Sequence, residues 1–182
     1  MTTRTMAFRG SLTARDQIAV YEFAWPAVIF IPLAAIAIQA FLPVRVRFFP
    51  VLDLPMMVVI FFAVARRNPI SGCLTGAIIG LLQDTIAGPM PMHAIGMYGI
   101  ADTVIGFAAS SLGVKIDTEN HGARFLITYV FFVAHQAIYF GVAHELLRQS
   151  VQWSWPKVAI SALANAVVGV FVYGFLDRFK QR

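Results

Sequence analysis

Five stretches of this chain contain no charged side chain: Phe23–Val44, Asn68–Gln83, Thr85–Ala101, Phe125–His144 and Val158–Leu176. Several approach the ~20 residues that a helix needs to cross ~30 Å of hydrocarbon. Of the 182 residues, 59% are hydrophobic and 13% charged, the latter about half the share of an average soluble domain. A soluble domain of this size would leave too much apolar surface in water, which excludes a plain soluble fold. The chain reads as a single integral membrane domain, all-α, with six transmembrane helices.

Prolines, glycines and charges between the runs set the boundaries. Residues 1–22, with Arg4, Arg9, Arg15, Asp16 and Glu22, form a polar tail ending in a short interfacial helix. The transmembrane domain covers 23–176, with spans near 23–42, 54–65, 70–87, 93–112, 124–144 and 156–175, and 177–182 form a second tail. Pro26 falls in a first turn, where its missing N–H costs little, whereas Pro32 is internal and predicts a kink. The alternation of apolar and basic residues over Pro43–Pro50 predicts an extended interfacial segment. The second span is the anomaly: Leu54–Ala65 covers only about 18 Å as a helix. It must be tilted, begin near Asp53, or be shielded by neighbours. Pro55 suits its first helical position, and Arg66-Arg67-Asn68-Pro69 closes it. Gly88-Pro89-Met90-Pro91 predicts a firm break after the third span.

Fourteen Lys and Arg against nine Asp and Glu give a net charge of +5. The basic residues lie in pairs between spans, and no stripe of them interleaves with stacking aromatics, so nucleic acid is not an expected partner. Their distribution reads as topology. Arg4, Arg9, Arg15, Arg66, Arg67, Lys115, Arg124, Arg178, Lys180 and Arg182 fall on one side, and Arg45, Arg47, Arg148 and Lys157 on the other. That asymmetry predicts two cytoplasmic termini, with Trp153 and Trp155 in the outer headgroup belt. The single cysteine, Cys73, excludes an intrachain disulfide. The first run is long and followed by further spans, so it is expected to stay as an anchor rather than be cleaved.

Two kinds of residue stand out inside the runs. Small residues recur every four positions: Gly72, Gly76 and Gly80 in span three, and Ser161, Asn165, Gly169 and Tyr173 in span six. Span four carries Gly99, Gly106 and Gly113 with Thr103 and Ser110. Such ridges let helices approach closely, either within the bundle or against a partner helix. Packing within the bundle is the stronger expectation for spans three and four, and span six is the better partner face. The polar set is Asp84, Asp102, His135 and Gln136, costly in hydrocarbon and therefore expected to face one polar interior. It reads either as a structural network or as a substrate or proton site. Asp84, His93, Asp102 and His135 show no metal-ligand spacing, and there is no nucleophile elbow, zinc-protease motif or phosphate loop. Neither a metal, a cofactor nor catalysis is expected.

The order of short motifs resembles the MreD family of bacterial rod shape-determining membrane proteins. The resemblance runs through Phe49-Pro50-Val51-Leu52-Asp53-Leu54-Pro55, Arg66-Arg67-Asn68-Pro69, the glycine ladder and Gly80-Leu81-Leu82-Gln83-Asp84. It continues through Tyr98–Gly106 and Leu112–Asp117, covering about Pro32 to Tyr173. It implies a non-catalytic scaffold of the inner membrane that binds MreC, a single-span protein, in the machinery that inserts side-wall peptidoglycan. MreB, RodA and a class B penicillin-binding transpeptidase complete that implied assembly, and a homodimer is compatible with it. The family is also distantly similar to the six-helix substrate-binding subunits of energy-coupling-factor transporters. The alternative from a different class is a small-molecule-binding or transport subunit using the polar interior around Asp84, Asp102 and His135.

Overall fold

The structure, a computed structural model, describes residues 22–45, 51–86, 96–113 and 120–181. Six α-helices occupy them: α1 (Trp25–Phe41), α2 (Leu54–Arg66), α3 (Pro69–Ile86), α4 (Met97–Gly113), α5 (His121–Gly141) and α6 (Trp155–Leu176). A two-residue strand β1 (Glu22–Phe23) pairs antiparallel with β2 (Lys180–Gln181), so the residues flanking α1 and α6 meet at one end of the bundle. The boundaries follow the punctuation in the sequence. Asn68 caps α3, its side chain accepting from the N–H groups of Ile70 and Ser71 at 3.0 and 3.2 Å, with Pro69 at the first position. Asn120 starts α5 in the same way, accepting from Gly122 at 2.8 Å.

Among the described residues, three segments are long and apolar enough to cross a membrane: Pro69–Ile86, His121–Leu146 and Trp155–Phe179. The last turn of the second is a π-helical stretch, Val142–Leu146. Helices α1 and α4 have 17 residues each and α2 only 13. The described residues thus form six α-helices, of which three satisfy the length of a full crossing. Pro43 to Arg45, expected to be extended, instead begin inside a 3-10 turn, with the Arg45 N–H on the Leu42 carbonyl at 3.0 Å. Residues 46–50, the tail before Glu22, the Gly88–Pro91 break and residues 114–119 lie outside the described residues.

Helix α2 is the axis of the bundle. Every residue from Pro55 to Ala65 is buried, and all five other helices touch it. A helix apolar on all faces belongs where all faces are covered. Length gives the reason here, because lipid is as apolar as a leucine side chain and supplies no drive to hide α2. Thirteen residues reach about 20 Å, some 10 Å short of the hydrocarbon thickness, and exposure to lipid would cost a fraction of a kcal/mol per Å of mismatch. Longer neighbours remove that mismatch.

The chain must still bring polar backbone into the bundle at the start of α2, and side chains from two distant helices satisfy it. Asp53 caps the helix by accepting from the Met56 N–H at 3.1 Å. Pro55 follows at its second position, one later than expected. Asn165 of α6 accepts from the Asp53 N–H and donates to the Val51 carbonyl, both at 2.8 Å. Gln39 of α1 donates to the Leu52 carbonyl at 2.8 Å and accepts from the Leu54 N–H at 3.2 Å.

Candidate functional site

The glycine ridge of α3 lies directly on α4. A Cβ at Gly72 would overlap the Ser110 hydroxyl and the Gly106 carbonyl; one at Gly76 would overlap the Asp102 carbonyl oxygen and lie 2.6 Å from its carbon. At Gly80 it would stand 2.5 Å from the Tyr98 carbonyl oxygen. Gly106 faces back onto the Gly72 backbone, so the two ridges interlock. A partner helix seeking Gly72, Gly76 and Gly80 would have to displace α4. On α6, Asn165 and Gly169 are buried and Ser161 half-buried. Asn165 is spent on the entry to α2, and a Cβ at Gly169 would meet Thr128 of α5 at 3.0 Å. Tyr173, last in that row, has its hydroxyl 3.0 Å from that of Thr128. These ridges are therefore contacts between helices of this chain.

The polar residues divide into two groups. Asp84, at the end of α3, accepts from the N–H groups of Gly96, Tyr98 and Gly99 at 2.9, 3.1 and 3.0 Å. Those are the unpaired donors at the start of α4, and a carboxylate there also meets the positive end of the helix dipole. Asp84 thus ties the α3–α4 hairpin from the outside of α4's first turn. Asp102 and His135 meet deeper in the bundle. His135 Nε2 stands 3.2 Å from Asp102 Oδ1, with side chains 1% and 0% exposed. The distance is that of an ion pair without the alignment of a hydrogen bond, and both oxygens and both ring nitrogens lack a hydrogen-bond partner among the described residues. Gln136 follows His135 on α5 and is half-buried.

Tyr98 links this pair to a cavity. Its ring stacks on His135 with centroids 5.9 Å apart and tilts against Tyr139 at 5.0 Å. It also lines, with Ile36, Gln39, Ala40, Gln83 and Ile86, a space of about 270 Å³ between α1, α3 and α4. Gln83 is 8% exposed, and its Oε1 has no hydrogen-bond partner among the described residues. Gln39 and Gln83 escape a reading that weighs charged side chains alone. Gln39 is nonetheless the one amide in the 22-residue run Phe23–Val44, and that is a signal. Among the described residues, no three His, Cys, Asp or Glu side chains gather as a metal would require. His93 lies outside those residues.

On another face, α1 and α6 stand apart over α2 and leave an apolar groove of about 790 Å³ along most of α1. Val58 and Leu54 lie on its α2 side, and Phe30, Ala34, Phe171, Phe175 and Phe179 line its walls. Phe30 and Phe171 are 66% and 74% exposed. Next to its mouth, Arg124 and Lys180 each approach Asp177 at 2.6 Å, clasping the start of α5 and the C-terminal strand to the end of α6.

Comparison with known proteins adds the following. The sequence model of a family described as "rod shape-determining protein MreD" matches residues 20–179. A curated protein of Enterobacter sp. (strain 638), "Protein TsgA homolog", is 30% identical over 103 residues, 52% of this chain. That match spans only 25% of the Enterobacter protein. No solved structure matches.

Proposed function

Because the chain belongs to the MreD family, we propose that it is a non-catalytic scaffold of the bacterial inner membrane that holds MreC in the side-wall elongation machinery. Family membership makes it a membrane protein of rod-shape determination. The step to MreC, and through it to MreB, RodA and a class B penicillin-binding transpeptidase, is our reading. Six crossings with both termini in the cytoplasm accord with the β1–β2 pairing and with the excess of basic residues on that side.

The groove between α1 and α6 carries the reading. A single-span partner needs an apolar furrow open to lipid, and both small-residue ridges are already occupied within the bundle. Helix association in lipid depends on packing rather than on hydrophobic drive, and a furrow between two helices that stand apart offers more contact than a smooth flank. The exposed phenylalanines along its walls supply large contact areas.

Copurification with tagged MreC from the same genome is the test. The expected result is a stable complex with the unsubstituted chain and its loss with Ala34→Trp, which fills the groove. Ile100→Trp, on the exposed face of α4, should leave the complex intact. If MreC fails to retain the unsubstituted chain, the scaffold reading falls. If Ala34→Trp is retained like wild type, the groove assignment falls while the scaffold reading stands.

A further inference from the structure

We propose that Asp102 and His135 form a proton-binding site inside the bundle, supplied by water in the cavity lined by Gln39, Gln83 and Tyr98. The first ground is electrostatic. Asp102 is wholly buried at the middle of α4, and His135, 1% exposed, stands 3.2 Å from it. A lone carboxylate in such surroundings costs several kcal/mol. With one proton between them the two side chains carry no net charge, whichever atom holds it, and with none they carry a full negative charge in a dry bundle.

The second ground is what surrounds the pair. Apart from each other, the two side chains have no hydrogen-bond partner among the described residues, so no third donor or acceptor locks either protonation state. A buried acid and base serving structure alone would have such partners, as Asp84 has in its three N–H donors and Asn165 in its backbone contacts. The other titratable groups facing the pair are Asp53 at the start of α2, Asp84 at the end of α3 and Tyr98 on α4, whose ring stacks on His135 and in turn tilts against Tyr139 of α5. None of them is a cation that could neutralise Asp102.

The third ground is access. The cavity's 270 Å³ has room for roughly nine water molecules at ~30 Å³ each. Its lining includes Gln83, whose buried Oε1 has no hydrogen-bond partner among the described residues and is an acceptor that water in the cavity can satisfy. Tyr98 is the shared wall, facing the cavity and stacked on His135. The cavity lies toward the ends of α1 and α3, opposite the end where β1 and β2 pair. Uptake transfers one proton from a hydronium ion in the cavity to the pair and leaves a water molecule. The pair goes from one net negative charge to none, and the site therefore samples protons from the side of the membrane away from the termini.

The experiment uses the full-length protein in lipid nanodiscs with ¹⁵N-labelled histidine and ¹³C-labelled aspartate carboxyls. Signals are assigned in the wild-type protein by correlation to neighbouring residues, and spectra are taken from pH 10 to 5 for it and for Asp102→Asn and His135→Gln. The expected result is a gain of one proton across the two side chains, counted on whichever atom takes it, and its absence in Asp102→Asn, whose His135 stays neutral throughout. A pair holding the same protons over the whole range overturns the proposal, as does a His135 that titrates identically in Asp102→Asn. Gln83→Phe, which closes the cavity, should slow exchange of the pair's proton with solvent at least tenfold. An unchanged rate would overturn the cavity route. Because the assignment is read first in the wild-type protein, a variant that misfolds does not remove the test.

Discussion

Replacing Gly76 with alanine puts the closeness of α3 and α4 to a quantitative test. The added Cβ would overlap the Asp102 carbonyl oxygen, stand 2.6 Å from its carbonyl carbon and 3.0 Å from the Thr103 nitrogen, where ordinary contact begins at 3.4 Å. All three atoms are helix backbone and cannot rotate aside, so the helices must part by about 1 Å at this point, within the ordinary range of overpacking strain. Gly72 and Gly106 lie on the same interlocked seam, and the opening spreads along it. Overpacking of this kind costs about 1–3 kcal/mol, and rigid atoms on both sides place this case near the top of that range. Alanine recovers about 1 kcal/mol through its higher helix propensity, leaving a net loss of about 2 kcal/mol.

The same chemical change at Gly141 is the control, because a Cβ there meets nothing within 4 Å. Gly141→Ala is expected to be neutral or to stabilise by up to about 1 kcal/mol. Reversible unfolding by sodium dodecyl sulfate from mixed micelles, followed by far-ultraviolet circular dichroism, reads both variants on one scale. The two should differ by about 2–3 kcal/mol, with Gly76→Ala the less stable. If Gly76→Ala is as stable as Gly141→Ala, the seam is not in contact and the argument fails.

The same assay checks three further substitutions. Asp84→Ala removes an acceptor for three N–H groups at the start of α4 and should cost about 2 kcal/mol, with Asp84→Asn falling between it and wild type because one amide oxygen remains. Asn165→Ala strips partners from the Asp53 N–H and the Val51 carbonyl and should cost about 1–3 kcal/mol, an equal stability with wild type meaning that solvent replaces the amide. Arg124→Ala breaks the 2.6 Å pair with Asp177 and should cost about 1.5–3 kcal/mol. Loosening that clasp should also free the C-terminal strand, visible as faster amide exchange at Lys180.

Helix positions were legible because each apolar run ends at a residue with a physical reason to stop it, as Asn68 and Pro69 show at the start of α3. The place of α2 was legible only as a contradiction, a span too short to span. Shielding by neighbours, one of three ways out, is what the structure adopts. The glycine spacing announced a close approach without naming the approaching helix, since a ridge suits any backbone that fits it. Asn165 looked like one step in a small-residue row, and its work at residues 51 and 53 depends on a contact across more than a hundred positions. The groove had no signature of its own because it arises from the gap between α1 and α6, and each of its residues taken singly looks like lipid-facing surface.

The sheathing of α2 bears on how the chain is built into a bilayer. A 13-residue segment does not partition stably by itself when ~20 residues are needed to traverse the hydrocarbon. During synthesis α2 emerges after α1 but before α3 to α6, which surround it on most sides. Its residence at depth must await α3 and α4, whose hairpin is locked by the glycine seam and by Asp84, and then α5 and α6. The amides of Gln39 and Asn165 close on the entry to α2 from the first and last helices, so that junction is completed only when the final helix arrives. Truncation after α4 should therefore leave α2 accessible to aqueous labelling reagents, although every one of its own residues has already been made.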